Sequence, residues 1–317
     1  MSSKKFIVKE ESFKRPIIFL KQVLNVSVSN KSIKKAIERG CLKINGRVER
    51  FSSVTLKVND ILEFSCNWES VLEKKQEKLP VLYEDDDFCI VDKPSGLLCE
   101  DKNIKMFFPD FMLAHRLDKE TSGVLILAKN KRAKEMTLDL FSKRQVKKKY
   151  IALVDGEVQE ECGEIESYLI KKSYYAGQTI WGSSTLSTNT HTDVCASAKN
   201  NRSKNCNTKS SNKSSTFKAS GLYALTLYKR IKHNKYCSLL LCDIPTGRTH
   251  QIRVHLAEMG HAILGDYQYC KEFFFPHHVE RIMLHSSSIK FISPFSSKYI
   301  EVFSHLPKDF SMIEQNV

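Results

Sequence analysis

The sequence has no long apolar run. Its start, MSSKKFIVKEESF, lacks the apolar core of a signal peptide, and no later segment approaches the ~20 apolar residues of a membrane-spanning helix. None of the ten cysteines forms a CxxC pair, and the closest two are Cys237 and Cys242. This spacing disfavours a zinc site and favours reduced, structural thiols. We therefore expect a cytoplasmic protein with no membrane segment and no metal.

Acidic residues are also in short supply. The 317 residues include 50 Lys and Arg against 36 Asp and Glu, a formal net charge of +14. Such an excess indicates a polyanionic partner, with RNA or DNA the first candidates, although a generally basic enzyme has the same composition. Hydrophobic residues make up 41% of the chain, which is enough to bury the core of a large domain and a small one.

Residues 1–67 form a small basic unit. They hold 14 Lys and Arg against 6 Asp and Glu, a net charge of +8. Apolar residues at i, i+3 and i+7 around Leu20 predict a first helix. The segment SNKSIKKAIERG predicts a second helix, with Ser29 or Asn30 capping its start and Gly40 ending it.

A hairpin is predicted directly after the second helix. Asn45-Gly46 in CLKINGRVE favours a tight type I′ turn between two strands, and LKVNDILEF suggests a further strand pair. Two helices followed by a hairpin resemble the RNA-binding module named after small-subunit ribosomal protein four, although Ser29-Asn30-Lys31 stands at its usual Ser-Arg entry. A solvated helix face is the alternative for this charge run. The resemblance assigns RNA-phosphate contacts to Lys31, Lys34, Lys35, Arg39, Lys43 and Arg47.

A polar linker and a second domain follow. Residues 68–80 end in Pro and predict the linker. Residues 81–317 form a strand-rich domain, in which the apolar run VLILA predicts a buried strand. Residues 173–220 stand apart, because 24 of these 48 residues are Ser, Thr or Asn. Such a stretch buries too little apolar surface to offset its ordering entropy, so we expect a disordered insertion between two strands.

Three motifs carry the chemistry of the second domain. They are YEDDDFCIVDKPSGLL, HRLDKETSGVLILAK and TGRTHQIRVHLAEMGHAILGD. With the K-x-Y about thirty residues after RLD, they resemble the pseudouridine synthases that modify large-subunit ribosomal RNA, from about Val81 to Phe291. This resemblance implies an α+β fold, with a mostly antiparallel sheet and a central cleft behind a small α/β RNA-binding domain. It also implies large-subunit rRNA or its assembly precursor as the partner. The oligomeric state is open, with a monomer as the default expectation.

The implied reaction is an isomerisation. The bond from the uracil nitrogen to ribose breaks, the base turns, and carbon 5 rejoins the sugar, so no metal or other cofactor is expected. Such chemistry needs a nucleophile or electrostatic partner, a flipped-out nucleotide and a dry pocket. The resemblance makes Asp118 the catalytic carboxylate, which either attacks the uridine or stabilises the cleaved sugar.

Other site residues follow from the same resemblance. Arg253 keeps Asp118 ionised and aimed, because an unpaired carboxylate in a partly buried site tends to become protonated. Tyr150 packs on the flipped uracil or assists proton removal at carbon 5. Arg116 enters the space that the uridine leaves, and His115 is a supporting residue. The triplet Lys147, Lys148 and Lys149 suits a phosphate-facing edge, and Lys93-Pro94 a supporting turn.

The chain departs from the family pattern at three points, which are Glu100, Ala262 and the triplet Leu284-His285-Ser286. These departures bear on the target RNA more than on the reaction. Two alternatives remain. One is a binding module without catalysis, such as a ribosome-assembly factor. The other is a hydrolase that uses Asp118 with His115 or His255, which no GxSxG, HExxH or paired-carboxylate spacing supports.

Overall fold

A computed structural model describes residues 3–10, 14–24, 29–65, 79–175, 178–184, 221–277 and 279–310. The chain divides into two compact units between Lys78 and Leu79, and the segments Lys172–Ile180 and His278–Arg281 cluster with the first unit. The predicted linker lies almost wholly outside the described residues. No helix in the described part of the chain is both long and apolar enough to cross a bilayer.

The first unit packs two helices on a four-stranded sheet with the order β1-β4-β2-β3. Its elements are β1 (Ser3–Ile7), α1 (Pro16–Leu24), α2 (Asn30–Glu38), β2 (Leu42–Ile44), β3 (Arg47–Glu49) and β4 (Ile61–Ser65). Phe19, Ile33 and Phe64 are among the buried side chains of its core. Strand β1 was not predicted from the sequence, and none of its five residues is buried.

Local signals at α2 and the hairpin are confirmed. The Ser29 hydroxyl accepts the Ser32 N–H at 3.1 Å and caps α2. Asn45 and Gly46 both have positive φ, as a type I′ turn requires. The strand pair expected from LKVNDILEF is wrong, because only β4 forms there. Asp60 accepts the Lys57 N–H at 2.7 Å and closes a turn before that strand.

The second unit is built on an eleven-stranded, mostly antiparallel sheet. Its elements are β5 (Val81–Glu84), β6 (Phe88–Lys93), α3 (Asp101–Ile104), β7 (Met112–Leu113), β8 (Ser122–Ala128), α4 (Lys131–Ser142), β9 (Lys147–Asp155), β10 (Cys162–Tyr175), β11 (Gln178–Ser184), β12 (Leu222–His233), β13 (Cys237–Asp243), α5 (Gln251–Glu258), β14 (Leu284–Ile292) and β15 (Tyr299–Phe303). The strand order is β11-β10-β12-β13-β9-β14-β8-β6-β5, and β15 and β7 pair with β14 and β8.

Strand β8 lies at the centre of the main core. All seven of its residues are buried, which confirms the prediction from VLILA. It pairs antiparallel with β6 and parallel with β14. Helix α4 covers this region through Ala133 and Leu140, so β8 forms a rigid floor directly after the loop that carries Asp118.

Part of the predicted insertion forms strands. Strand β10 continues to Tyr175 and β11 occupies Gln178–Ser184, which the Ser/Thr/Asn count had assigned to the insertion. The apolar pair Ile180-Trp181 explains the difference, because Trp181 packs partly buried on Leu169 and Val254. Residues 185–220 lie outside the described residues.

Candidate active site

The loop between β7 and β8 carries Asp118 on a braced backbone. Lys93 is fully buried, and its ammonium donates to the carbonyls of Pro94, Leu97 and Lys119 at 2.9, 3.0 and 3.1 Å. The Gly96 N–H donates to the same Lys119 carbonyl at 2.8 Å. A buried ammonium with three carbonyl partners is well satisfied. The Lys-Pro turn therefore fixes the residue next to Asp118.

A glycine lets β8 approach β14 closely behind this loop. Gly123 has φ +107°, and a Cβ there would collide with the carbonyl of Ser286 on β14. One residue earlier, Ser122 Oγ lies 3.0 Å from Nδ1 of His285. The TSG turn of the sequence is thus needed for the parallel pairing of two buried strands.

Helix α5 places Arg253 in the interior. The first six residues of α5 are buried, so packing covers far more of this helix than a single apolar stripe. Only 5% of the Arg253 side chain is exposed. The physical reason is that packing covers several faces of the helix, and the polar groups among them must then find partners.

Asp266 is the close partner of Arg253. Nε of Arg253 donates to Oδ2 of Asp266 at 2.7 Å, and Nη2 donates to Oδ1 at 2.8 Å. Nη2 also donates to Oε1 of Gln268 at 2.7 Å. Burial acts to lower the pKa of Arg253, but Asp266 more than compensates and raises it. This bidentate pair locks the guanidinium plane.

Asp118 faces the remaining nitrogen of that guanidinium. Nη1 of Arg253 lies 3.6 Å from Oδ2 of Asp118, whose side chain is 28% exposed. The structure thus joins two predicted site residues that are 135 positions apart in sequence. The arrangement holds two carboxylates around one arginine, one buried and bonded at short distance, the other partly open to a substrate.

Tyr150 lies on β9 with its side chain turned inward. Only 7% of it is exposed, and its pKa is raised by burial first and by the nearby Asp118 charge as well. A hydrogen bond with the Ser286 side chain acts in the opposite direction. The phenol therefore keeps its proton near neutral pH, which favours a packing surface over a phenolate base.

His115 and Arg116 point to different environments. Nε2 of His115 accepts the Ile126 N–H at 2.9 Å, and burial lowers the pKa of the ring to about 3. This ring braces β8 and does not exchange protons near neutral pH, as its predicted supporting role requires. The Arg116 side chain is exposed.

The three lysines at the start of β9 do not form one edge. Side chains alternate along a strand, so Lys147 and Lys149 face solvent, whereas Lys148 is only 9% exposed. Burial lowers the pKa of Lys148 to about 8. Lys147 and Lys149 line a shallow depression with the acidic side chains of Asp243 and Glu301. The predicted phosphate-facing triplet is therefore wrong as a unit.

The predicted RNA-contacting residues of the first unit are mostly exposed, and Arg39 is the exception. The exposed ones are Lys31, Lys34, Lys35, Lys43 and Arg47. Arg39 follows α2 as its C-cap and is half-buried, with Nη1 lacking a hydrogen-bond partner among the described residues.

Sequence reasoning missed three residues of the site, Asp266, Gln268 and His250. Asp266 ends the third motif, GHAILGD, and a buried arginine on a packed helix requires a counter-charge, so the signal was present. His250 lies in the same motif, and its Nε2 is 3.9 Å from Oδ2 of Asp118. Within the described residues, no group of three or more His, Cys, Asp or Glu is arranged to hold a metal ion.

Comparison with known proteins matches the chain to one family. Residues 87–258, more than half of the chain, match the family described as RNA pseudouridylate synthase. An RNA pseudouridine synthase of Helicobacter pylori strain J99 is 31% identical over 90% of this chain and 95% of its own length. The ribosomal large subunit pseudouridine synthase D of Zymomonas mobilis is 24% identical over 90% of this chain and 88% of its own.

A solved structure shares the fold. The human RNA pseudouridylate synthase domain containing 1 superposes with a TM-score of 0.56, covering 76% of this chain and 94% of its own, at 23% identity. The protein belongs to the RNA pseudouridylate synthase family, and it is therefore an isomerase that acts on RNA. A binding module without catalysis and a hydrolase both disagree with this membership.

Proposed function

We propose that Asp118 is the catalytic carboxylate of this synthase and that uridines of large-subunit ribosomal RNA are its substrate. The observation that carries the first part is the position of Asp118, partly exposed yet 3.6 Å from a buried, locked arginine. The fixed guanidinium gives this carboxylate a charge partner on one side while its other side stays open to a substrate. Asp118 is thereby available both as a nucleophile and as a stabiliser of the cleaved sugar.

Two further residues complete the proposal. Tyr150, buried and protonated, supplies an aromatic surface for the flipped uracil, and exposed Arg116 occupies the space that the base leaves. The N1–C1′ bond of the uridine breaks and a C5–C1′ bond forms. The proton on carbon 5 leaves as N1 gains one, so atoms and charge balance without a co-reactant.

The ribosomal substrate is supported by charge and by relatives. A net charge of +14 suits a polyanion, and a relative covering most of the chain is named a ribosomal large subunit pseudouridine synthase. Exposed cations on α2 and the hairpin suggest that the first unit is an RNA-binding module of the small-subunit protein four type. The cytoplasmic location and the monomeric state stay predictions from the sequence.

The test compares Asp118→Asn with the wild type on unmodified large-subunit rRNA. Pseudouridines are mapped as base-resistant chemical adducts, and single-turnover rates are measured at saturating enzyme. We expect Asp118→Asn to lose on the order of a thousandfold or more in rate while still binding RNA. Asp110→Asn, an exposed carboxylate just before the motif, is the control and should stay fully active.

Two results would contradict this assignment. If Asp118→Asn isomerises uridine at the normal rate, Asp118 is not the catalytic group. If the wild type modifies no position of large-subunit rRNA but does modify a transfer RNA or another transcript, the chemistry stands and the substrate is wrong.

A further inference from the structure

His250 occupies an unusual position at the start of α5. Its backbone is left-handed, with φ 57° and ψ 17°, and its side chain makes no capping hydrogen bond to the helix. Left-handed non-glycine residues are uncommon. Only 16% of the side chain is exposed. The ring therefore does not cap the helix and points instead into the site.

The hydrogen bond with Tyr269 favours one tautomer of this ring. Nδ1 of His250 lies 2.8 Å from the Tyr269 hydroxyl, which also accepts the Trp181 N–H at 3.3 Å. Burial raises the pKa of Tyr269 to about 12, so the phenol keeps its single proton and can donate it to Nδ1. A neutral imidazole that accepts at Nδ1 carries its own proton on Nε2.

Electrostatics keep the imidazole neutral. Burial, and then the Arg253 charge, lower the pKa of His250 to about 4, against the opposing pull of Asp118 and Asp266. The ring also lies edge-to-face with Tyr269, at a centroid distance of 5.7 Å. His250 is therefore a neutral donor with a defined direction.

Arg253 and His250 both lie nearest to the same oxygen of Asp118. Nη1 of Arg253 is 3.6 Å and Nε2 of His250 is 3.9 Å from Oδ2. Oδ2 is thus the closer carboxylate oxygen for both groups, and within the described part of the chain Oδ1 accepts no hydrogen bond. Distances of this length commonly shorten when substrate closes a site.

We propose that His250 is a positioning residue that holds Oδ2 of Asp118 together with Arg253, so that Oδ1 is the oxygen that reacts with the uridine. This inference rests on the proposed catalytic role of Asp118. A carboxylate held by one oxygen presents the other in a fixed direction, which lowers the cost of reaching the reactive geometry.

Two substitutions of His250 separate this role from a backbone role. The amide nitrogen of Gln is as many bonds from Cβ as Nε2, whereas that of Asn reaches only the position of Nδ1. Asn tolerates the left-handed backbone better than Gln does. A purely structural role thus predicts that His250→Asn is at least as active as His250→Gln.

Our proposal predicts the opposite order. His250→Asn should lower the single-turnover rate on an rRNA fragment by about ten- to a hundredfold. His250→Gln should recover most of that loss, and the Kd for RNA should stay within about twofold for both variants. Equal rates for both variants and the wild type, or a loss seen only in Kd, would overturn the role.

A second variant probes the tautomer. Tyr269→Phe removes the donor to Nδ1, which lets the proton move there and turns a lone pair toward Asp118. We expect a rate loss of the same kind as in His250→Asn but smaller, and no loss for Tyr236→Phe, a tyrosine whose ring packs at a tilt against Phe274. An unchanged rate in Tyr269→Phe contradicts the hydrogen-bond chain.

Failure of this inference is distinguishable from failure of the proposed function. If Asp118→Asn is inactive while His250→Asn is as active as the wild type, only the positioning role fails. In a crystal structure with a bound rRNA fragment, Oδ1 should be the carboxylate oxygen nearest to the ribose C1′ or to the base. An approach through Oδ2 would overturn the assignment of the oxygens.

Discussion

The two units of the chain carry their charges in different ways. In the first unit, the basic side chains of α2 are exposed, and Lys34 has only a loose ion pair, 4.0 Å from Glu38. In the second unit, Lys93 and Arg253 are buried and bonded at 2.7 to 3.1 Å. Exposed cations remain hydrated and can exchange water for phosphate. The N–H donors of the buried cations are already hydrogen-bonded to groups of the protein.

The exposed and the buried charges therefore control different properties of the protein. A loosely held surface charge contributes little to stability and much to long-range attraction for a polyanion. A buried, bidentate pair contributes geometry, and its loss leaves an uncompensated charge. Changes in the second unit should therefore alter folding or rate, and changes on α2 should alter RNA affinity alone.

The largest effect is expected at Asp266. Asp266→Ala removes the close counter-charge of the Arg253 guanidinium, whose side chain is only 5% exposed. The free energy of unfolding should therefore fall by about 3–5 kcal/mol in urea titrations. Asp266→Asn keeps one acceptor and should lose less. Asp110→Ala, on an exposed residue, should change stability by less than about 0.5 kcal/mol. A loss below about 1 kcal/mol for Asp266→Ala would show that the pair is not structural.

An intermediate effect is expected on RNA affinity from α2. Lys31→Ala/Lys34→Ala should lower the slope of log K against log salt by about 1.8, if each lysine meets one phosphate. Between about 50 and 200 mM salt, the variant should then lose about tenfold less affinity than the wild type. Filter binding on an rRNA fragment measures both, and the single-turnover rate at saturating enzyme should not change.

The matched control lies on α4. Lys131→Ala/Lys134→Ala removes two lysines with the same spacing on a helix, and Lys131 has a similarly loose ion pair, 3.9 Å from Glu135. Its salt slope should equal that of the wild type. Equal slopes for the two double variants would show that α2 is a solvated helix face and not part of the RNA footprint.

The third effect is a pH dependence of stability from a buried histidine. His255 is 1% exposed and bonded at 2.9 Å to both Ser167 and Thr226, and burial lowers its pKa from 6.5 to about 4. Below pH 6.5, His255 becomes protonated in the unfolded chain but stays neutral in the folded chain. Stability is therefore full above pH 6.5 and is lost as the pH falls toward 4.

Urea titrations at pH 7.5 and pH 5.0 measure this dependence. The contribution of His255 is about 2 kcal/mol across that interval, so His255→Gln should lose about 2 kcal/mol less than the wild type. His277→Gln, on an exposed ring, should leave the pH dependence as it is. Parallel pH profiles for the wild type and His255→Gln would contradict the neutral, buried imidazole.

Much of the fold was predictable because its signals are local. Ser29 caps α2 through a neighbour three residues away, Asn45-Gly46 sets the hairpin, and an unbroken apolar run makes β8. Strand β1 was not predictable, because pairing with the distant β4 overrides a weak local pattern there. The end of β10 and strand β11, which pair as neighbours in sequence, were missed because the Ser/Thr/Asn count outweighed the apolar pair Ile180-Trp181.

The site was predictable in its members but not in its connections. Asp118, Tyr150 and Arg253 each belong to a recognisable motif, and a linear motif names residues without their partners. Lys148 shows a second limit of prediction from the sequence. Three consecutive lysines look equivalent in sequence, yet the two-residue period of β9 buries the middle one and exposes its neighbours.

The family, the reaction class, the basic character and the residue types of the site can all be read from the sequence. That Arg253 binds Asp266 at short distance and keeps one nitrogen for Asp118 depends on three-dimensional packing. The same packing makes His250 face that oxygen of Asp118. The physical reason is that a guanidinium offers several donors, and their distribution among carboxylates depends on where packing holds each group, which no local pattern encodes.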